Sequence, residues 1–300
     1  MQVSTKVFND QALARFGEAS KEIQNVQAKI ATGKNLLRAS DDPVVAAEIS
    51  FGKDKQRTLL RFQDNIARAK DRLELSEITL TEMQNILTRI YELTIQAKND
   101  TYSTTDREAI RQEIITLKDM MVTLGNTQDS NGDAIFAGYK SNVIPFRKND
   151  QGAVQFYGDQ GVARLQISET LMAATSINGI DAFMRVNTAT GYKDVFSIVD
   201  SVIENIGDTS MNTNIIGEIN SSVSHFSNKL TEVGSLINLA DLQNDTIEKR
   251  RMLMTEDISK LEDADLSQLV STLQTLLLNR DASQQSFALI GQKSLFDYLR

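Results

Sequence analysis

Apolar residues recur at alternating steps of three and four along residues 59–97. Steps of three and four sum to seven, so these residues form one stripe along a slightly underwound helix. Ser76 and Thr94 are the polar interruptions, and the stretch contains neither Pro nor Gly. We therefore predict one long helix over residues 43–98, which would be about 80 Å long and would need a partner with a matching stripe.

A second series with the same spacing runs from Ile219 to Leu261, with Asn244 and Arg251 as its polar members. It predicts a helix over residues 215–262, about 70 Å long. Two long helices from opposite parts of the chain predict an antiparallel coiled-coil rod. We expect Ser76, Thr94 and Asn244 to fix its register, as buried polar groups do in coiled coils.

Shorter helices are predicted on either side of this pair. A stripe over residues 11–31 should end at Gly33, and Asp42 should cap the helix that begins at Pro43. Residues 105–108 (Thr-Asp-Arg-Glu) fit a capping box at the start of a third helix. Further apolar faces predict helices over residues 194–206 and from Leu266 onward.

Between these helices the pattern changes to a period of two. Val154 and Phe156 alternate with polar residues, as do Ala163, Leu165 and Ile167, which is typical of strands. Residues 149–152 and 158–161 fit hairpin turns. We predict a small β-rich insert over residues 139–189.

The predicted fold class is therefore mainly α: a long antiparallel helical rod, a small β-rich insert and terminal helices. We divide the chain into terminal helices (residues 1–40 and 264–300), the rod (41–138 and 190–263) and the insert (139–189). The terminal stripes are short and offset from the rod by breaks. Because such short helices are marginally stable alone, we expect both ends to be mobile in the monomer and to become ordered on assembly.

Composition narrows the classes of function. The net charge of −8 argues against a general binder of nucleic acid or anionic membranes. The absence of cysteine excludes disulfides, zinc–thiolate sites and cysteine nucleophiles. The first residues lack a basic region followed by an apolar core, and no apolar run approaches the ~18 residues that span a bilayer. We expect a protein that stays in the cytoplasm or leaves it without a cleaved signal.

Candidate chemistry is sparse. His225, the only histidine, lies off the stripe and is expected to be a solvated helix residue. Residues 129–140 fail the calcium-loop pattern, because Ala134 and Lys140 stand where Gly and Glu are required. Asp41 and Asp42 fit a helix cap better than a catalytic pair. We predict no catalytic, cofactor-binding or metal-binding residues, which leaves a hydrolase as a remote alternative.

Two motifs point to a family. Residues 30–34 (Ile-Ala-Thr-Gly-Lys) with 40–47 (Ser-Asp-Asp-Pro-Val-Val-Ala-Ala) resemble the N-terminal signature of the flagellin superfamily, and residues 261–266 (Leu-Glu-Asp-Ala-Asp-Leu) resemble its C-terminal signature. Residues 43–45, 131–139 and 294–299 are more similar to the hook–filament junction members than to flagellins, which usually continue Asp-Asp with Ala-Ala-Gly. The resemblance covers roughly residues 1–140 and 190–300.

The resemblance implies a structural adaptor of the bacterial flagellum that joins the hook to the filament. It implies export through the flagellar type III channel, and ends that are disordered in the monomer and form an inner coiled-coil tube after assembly. The implied partners are hook-associated protein 1, flagellin, the filament cap protein, an export chaperone and other copies of the chain.

The apolar stripes of the terminal helices are our predicted assembly interface. Two other functions remain open: a filament-forming flagellin, which copy number and position would distinguish, and a cytoplasmic coiled-coil scaffold, which secretion would distinguish. The predicted interface residues are Phe16, Ile23, Ile30, Leu269, Leu273, Leu276, Phe287 and Ile290.

Overall fold

A computed structural model describes residues 2–99, 101–206 and 213–292, with side chains over 6–99, 101–206 and 214–289. Six α-helices and six short strands follow one another along these residues, and a one-turn π-helix (Ile180–Met184) precedes β5. The predicted mainly α fold with a small β-rich insert is confirmed. The elements are α1 (Gln2–Thr32), α2 (Pro43–Ala97), α3 (Thr104–Gly125), β1 (Phe146–Lys148), β2 (Val154–Phe156), β3 (Arg164–Gln166), β4 (Met172–Ala174), β5 (Val186–Thr188), β6 (Gly191–Lys193), α4 (Val195–Asn205), α5 (Thr213–Glu262) and α6 (Leu266–Gln292).

The chain forms two compact units, residues 1–58 with 250–300 and residues 59–249. In the first, Gln56 on α2 donates to Thr255 on α5 at 2.9 Å, and Gly52 faces Ile258. Because rising numbers on α2 meet falling numbers on α5, the two helices run antiparallel here, as predicted.

In the second unit the predicted stripes of α2 and α5 are buried. Leu59, Phe62 and Ile66 of α2 pack with Ala240 and Ile247 of α5 in one apolar cluster. An ion pair of 2.7 Å between Lys70 and Asp241 links the same two helices. The stripe of α2 thus packs against the stripe of α5, as the seven-residue repeat of both stripes predicts.

The polar members of the α2 stripe do not act as expected. Ser76 and Thr94 are fully buried, yet their hydroxyls donate to the carbonyls of Arg72 and Ile90 in the previous turn of the same helix. A hydroxyl satisfied within its own helix imposes no partner across the interface. The prediction that these two residues fix register is therefore wrong.

Caps define the helix starts. The Asp42 carboxylate accepts from the amides of Val44 and Val45, both at 3.1 Å, as predicted for the N-cap of α2. The capping box of α3 begins two residues earlier than predicted. Ser103 is the N-cap and exchanges hydrogen bonds with Asp106, so an aspartate takes the role that we assigned to Glu108.

The insert consists of three antiparallel hairpins, β1–β2, β3–β4 and β5–β6. The turn at residues 149–152 is confirmed, with Gly152 at φ +80. The stretch 158–161 is not a hairpin turn, because β2 pairs with β1 and β3 with β4. Instead Asp159 accepts from the amides of Tyr139 and Gly161, which fixes a link between two hairpins.

An aromatic cluster anchors the insert to the helices of the second unit. Phe183 of the π-helix has its ring centroid 5.0 Å from those of Phe136 and Phe146 and 5.6 Å from that of Phe226. These four side chains are fully buried or nearly so. Such contacts between rings add to the energy of apolar burial, so the cluster holds hairpin, π-turn and α5 together.

Candidate assembly surface

The terminal helices α1 and α6 pack against each other within the first unit. Phe287 of α6 meets Phe16 of α1 edge-on, with centroids 5.7 Å apart, and stacks on Phe8 at 6.0 Å. A cavity of about 590 Å³ lies beside these rings and is also lined by Leu276, Arg15 and Arg280. The apolar faces of the two chain ends therefore face each other inside one molecule.

The predicted interface residues share this pair of helices. Ile23 is buried at 5% exposure, whereas the predicted residues of α6 are only half-buried. The structure brings Phe16, Leu276 and Phe287 together around the cavity. The side chain of Ile290 lies outside the described residues. The half-buried members are Phe16, Ile30, Leu269, Leu273, Leu276 and Phe287.

A second apolar set on the same helices is exposed; Leu278, for example, is 70% exposed. Leu266 and Val270 belong to the predicted stripe of the last helix, whereas the other members of this set were not predicted. Phe8 was overlooked too, because the first ten residues carry too many polar side chains to show a stripe. Leu278 and Leu289 could have been found by asking which apolar residues of α6 lie off its main stripe. The members of this exposed set are Val7, Leu13, Leu266, Val270, Leu278 and Leu289.

The two signature motifs meet between the end of α1 and the start of α6. Gly33 ends α1 at φ +67, a backbone conformation that favours glycine, and its carbonyl accepts from the Ala264 amide at 3.0 Å. The Asn35 amide donates to the Glu262 carbonyl at 2.8 Å. Lys34 and Asp263 form the antiparallel bridge between these bonds. We call this short pairing the signature ladder.

Ion pairs accompany the signature ladder. The Glu262 carboxylate bonds Lys34 at 2.5 Å and Lys53 at 2.7 Å. These two hydrogen bonds, the one from Lys34 foremost, hold the pKa of Glu262 below its ordinary value. The same contact raises the pKa of Lys34. Asp265 caps α6 by accepting from the amides of Ser267 and Gln268 at 2.9 and 3.0 Å.

His225 differs from its prediction as a solvated helix residue. It is half-buried, and its Nε2 lies 3.0 Å from the Asp181 carbonyl and 3.1 Å from that of Ala182. Both groups are acceptors, so Nε2 carries the proton. Desolvation lowers the pKa of His225, opposed by the bond to Asp181. The residue ties α5 to the π-helix.

No metal or membrane feature emerges from the described residues. Within these ranges, His, Asp and Glu side chains do not gather in groups of three that could hold a metal ion. Over the same ranges, no helix combines the length and the apolarity that a bilayer span requires. What the surface offers chemically is apolar area, ion pairs and backbone pairing, which are the means of protein–protein contact.

Comparison with known proteins agrees with this geometry. Residues 3–141 match the model of the bacterial flagellin N-terminal helical region. Flagellar hook-associated protein 3 of Salmonella typhimurium is 22% identical over 100% of both chains. A flagellin of Clostridium tyrobutyricum is 26% identical, over 83% of this chain and 64% of its own length.

The fold is also that of a solved structure. Flagellar hook-associated protein 3 of Legionella pneumophila superimposes with a TM-score of 0.67 at 18% identity, over 71% of this chain and 98% of that one. The predicted resemblance is thereby confirmed: residues 3–141 match the flagellin N-terminal helical region, and the chain is similar along its whole length to flagellar hook-associated protein 3.

Proposed function

We propose that this chain is a structural adaptor of the bacterial flagellum that joins the hook to the filament through contacts between helices. The observation that carries the proposal is the similarity to hook-associated protein 3 over 100% of both chains, together with the paired terminal helices.

The terminal helices act in assembly, and residues 41–138 and 194–263 form the helical body. We extend the insert from the predicted 139–189 to residue 193, because β6 pairs with β5. The α1–α6 contact uses the predicted interface residues Phe16, Ile23 and Phe287. The exposed apolar set on the same helices is then available to neighbouring subunits. Burial of this set against those subunits would stabilise the assembly by about 25 cal/mol per Å² of apolar surface. We propose that the pairing of α1 with α6 is marginally stable in the monomer and becomes fully ordered in this process.

The proposed partners are hook-associated protein 1, flagellin, the filament cap protein, an export chaperone and further copies of the chain. The protein is non-enzymatic, needs no cofactor, and is exported to the extracellular flagellum without a cleaved signal. Relatives named as hook-associated proteins and flagellins support a structural function of this kind.

Immunogold electron microscopy of intact flagella tests the location. We expect one label at the hook end of each filament. Label along the whole filament would identify a flagellin, and label confined to the cell interior would favour the cytoplasmic scaffold.

A charge on the α6 stripe tests the interface. Leu273→Glu should abolish junction assembly while α2 and α5 stay folded, because a half-buried leucine is replaced by a carboxylate. Gln274→Glu, which places the same charge at the next, exposed position, is the control. Normal filaments in the Leu273→Glu strain would refute the assignment.

A further inference from the structure

Glu262 joins three segments that are distant in sequence. Its Oε1 accepts from Lys34 in the loop after α1, and its Oε2 accepts from Lys53 in the third turn of α2. Glu262 itself is the last residue of α5, and its carbonyl accepts from Asn35 in the signature ladder. One residue therefore joins α2, α5 and the loop that leads from α1.

We infer that Glu262 is the positioning residue that holds the signature ladder together, with Lys34 and Lys53 as its two partners. The inference goes beyond the proposed function, since it concerns a contact inside one molecule. The Glu262 side chain binds two lysines outside α5, and the formation of α5 itself does not need these contacts.

The burial of the three groups supports this assignment. The side chain of Glu262 is 14% exposed, whereas those of Lys34 and Lys53 are 50% and 46% exposed. Because the two ammonium groups are accessible to solvent, dissolved salt can weaken both of their contacts with the sheltered carboxylate. Removing its charge leaves the ammonium groups of Lys34 and Lys53 without the carboxylate that both contact.

The other charged group nearby does not replace Glu262. Asp263 contributes to the raised pKa of Lys34, but less than Glu262 does. Its carboxylate is engaged by the Ser259 hydroxyl one turn earlier. Glu262 therefore supplies the main attraction that draws the loop after α1 onto the end of α5.

The position of the signature ladder gives the contact a consequence. Gly33 ends α1 and Asp265 caps the start of α6, so the ladder lies where both terminal helices join the rest of the chain. Weakening the Glu262 contacts should loosen both junctions together. If the proposed function holds, these ion pairs set where α1 ends and where α6 begins.

Amide hydrogen exchange of the full-length monomer tests the inference. The reporters are the amides of Asn35 and Ala264, the two donors of the signature ladder. Glu262→Gln should raise exchange at both by about fivefold, the effect of losing partly exposed ion pairs, and leave the α2 core amide of Ile90 unchanged. Glu256→Gln, which removes an exposed ion pair with Lys260 in the same helix, is the matched control and should change neither reporter.

Salt dependence distinguishes an electrostatic effect of the Glu262 charge from a general effect of its side chain on packing. In about 1 M sodium chloride, where the Debye length is about 3 Å, exchange at both reporters should rise in the wild type but not in Glu262→Gln. Lys34→Met, which leaves Lys53 on Glu262, should give a smaller rise than Glu262→Gln. Equal exchange in Glu262→Gln and Glu256→Gln, or a salt effect that persists in Glu262→Gln, would overturn the inference. Because the readout needs no flagellum, its failure would leave the proposed function untouched.

Discussion

Phe287 meets Phe16 edge-on, with ring centroids 5.7 Å apart at 89°, although the two residues come from opposite ends of the chain. This geometry is favourable for aromatic pairs, because the positive edge of one ring points at the negative face of the other. The contact pairs α1 with α6 inside one molecule. The apolar surface available to other molecules is therefore the outward set that includes Leu278.

Mutations on the two faces of α6 should have different effects. Phe287→Ala should weaken the α1–α6 contact by about 1–3 kcal/mol, since it removes a half-buried ring and its contacts with Phe8 and Phe16. Amide exchange along α1 in the monomer would report the loss. An exchange pattern identical to the wild type would contradict the pairing.

Leu278→Ala should have the opposite profile. The side chain is 70% exposed, so its truncation should leave the free energy of monomer unfolding within about 0.5 kcal/mol of the wild type. Assembly should weaken, because the leucine would be buried there. Sedimentation of mixtures with filament components measures assembly, and unaltered sedimentation would assign Leu278 to a free surface.

Two helix glycines should respond differently to alanine. A Cβ at Gly234 meets nothing within 4 Å, so Gly234→Ala should raise the free energy of unfolding by about 0.5–1 kcal/mol through helix propensity. A Cβ at Gly52 would lie 3.0 Å from Cγ1 of Ile258. That crowding should cancel the gain or reverse it. Urea titration compares the two, and an equal gain at both sites would contradict the close packing of Gly52.

An ion pair with a buried lysine, Lys118–Asp200, should show strong coupling in a double-mutant cycle. Lys118, whose side chain is 7% exposed, bonds both oxygens of Asp200 at 2.5 and 2.7 Å and the Gly152 carbonyl at 3.3 Å. Asp200→Asn should cost about 2 kcal/mol, because it leaves the ammonium buried without its counter-charge.

Removing both charges of this pair should cost less than the single change. Lys118→Met with Asp200→Asn leaves no buried charge, so we expect the double variant to recover part of the lost stability. Equilibrium unfolding of the four proteins gives the coupling. Strict additivity of the two single effects would mean that the pair does not interact energetically.

The single histidine should make stability depend on pH near neutrality. Burial lowers the pKa of His225 below its ordinary value of 6.5, so the folded state prefers the neutral ring. The corresponding stability is present above pH 6.5 and is lost as the pH falls through the pKa of the folded state. Lys229 disfavours the charged ring, while the carbonyls of Asp181 and Ala182 favour it.

NMR titration would observe this ring without overlap, since the chain has one histidine. We expect a midpoint below 6.5 in the folded protein, and a fall in unfolding free energy with acidity that is absent in His225→Asn. A midpoint at or above 6.5 would contradict the burial.

The long helices could be predicted from the sequence because a seven-residue repeat over many turns has one geometric solution. The caps at Asp42 and Gly33 were also predictable, since a side-chain oxygen or a positive φ is required locally. The box at Ser103 was missed because Ser103 and Thr105 each have an acidic residue three positions later, and the sequence does not say which one starts the helix.

Tertiary contacts account for the other differences. Nothing near His225 in sequence indicates that a π-turn from another part of the chain would place two carbonyls against it. Ser76 and Thr94 were assigned across the interface, but a hydroxyl can reach its own helix backbone equally well. Within the candidate interface, the apolar stripe could be predicted from the sequence. Which apolar residues of α6 face α1 and which face solvent could not be predicted, because this depends on where α1 packs.

The signature ladder also determines how the molecule should yield to force. Gly33 and Ala264 lie at the end of the ladder where α1 and α6 leave it, and Asn35 and Glu262 lie behind them. Drawing the two chain ends apart would therefore open it like a zipper, the outer bond first and the inner bond second. The segment between Asn35 and Glu262 would carry no tension until both bonds had broken.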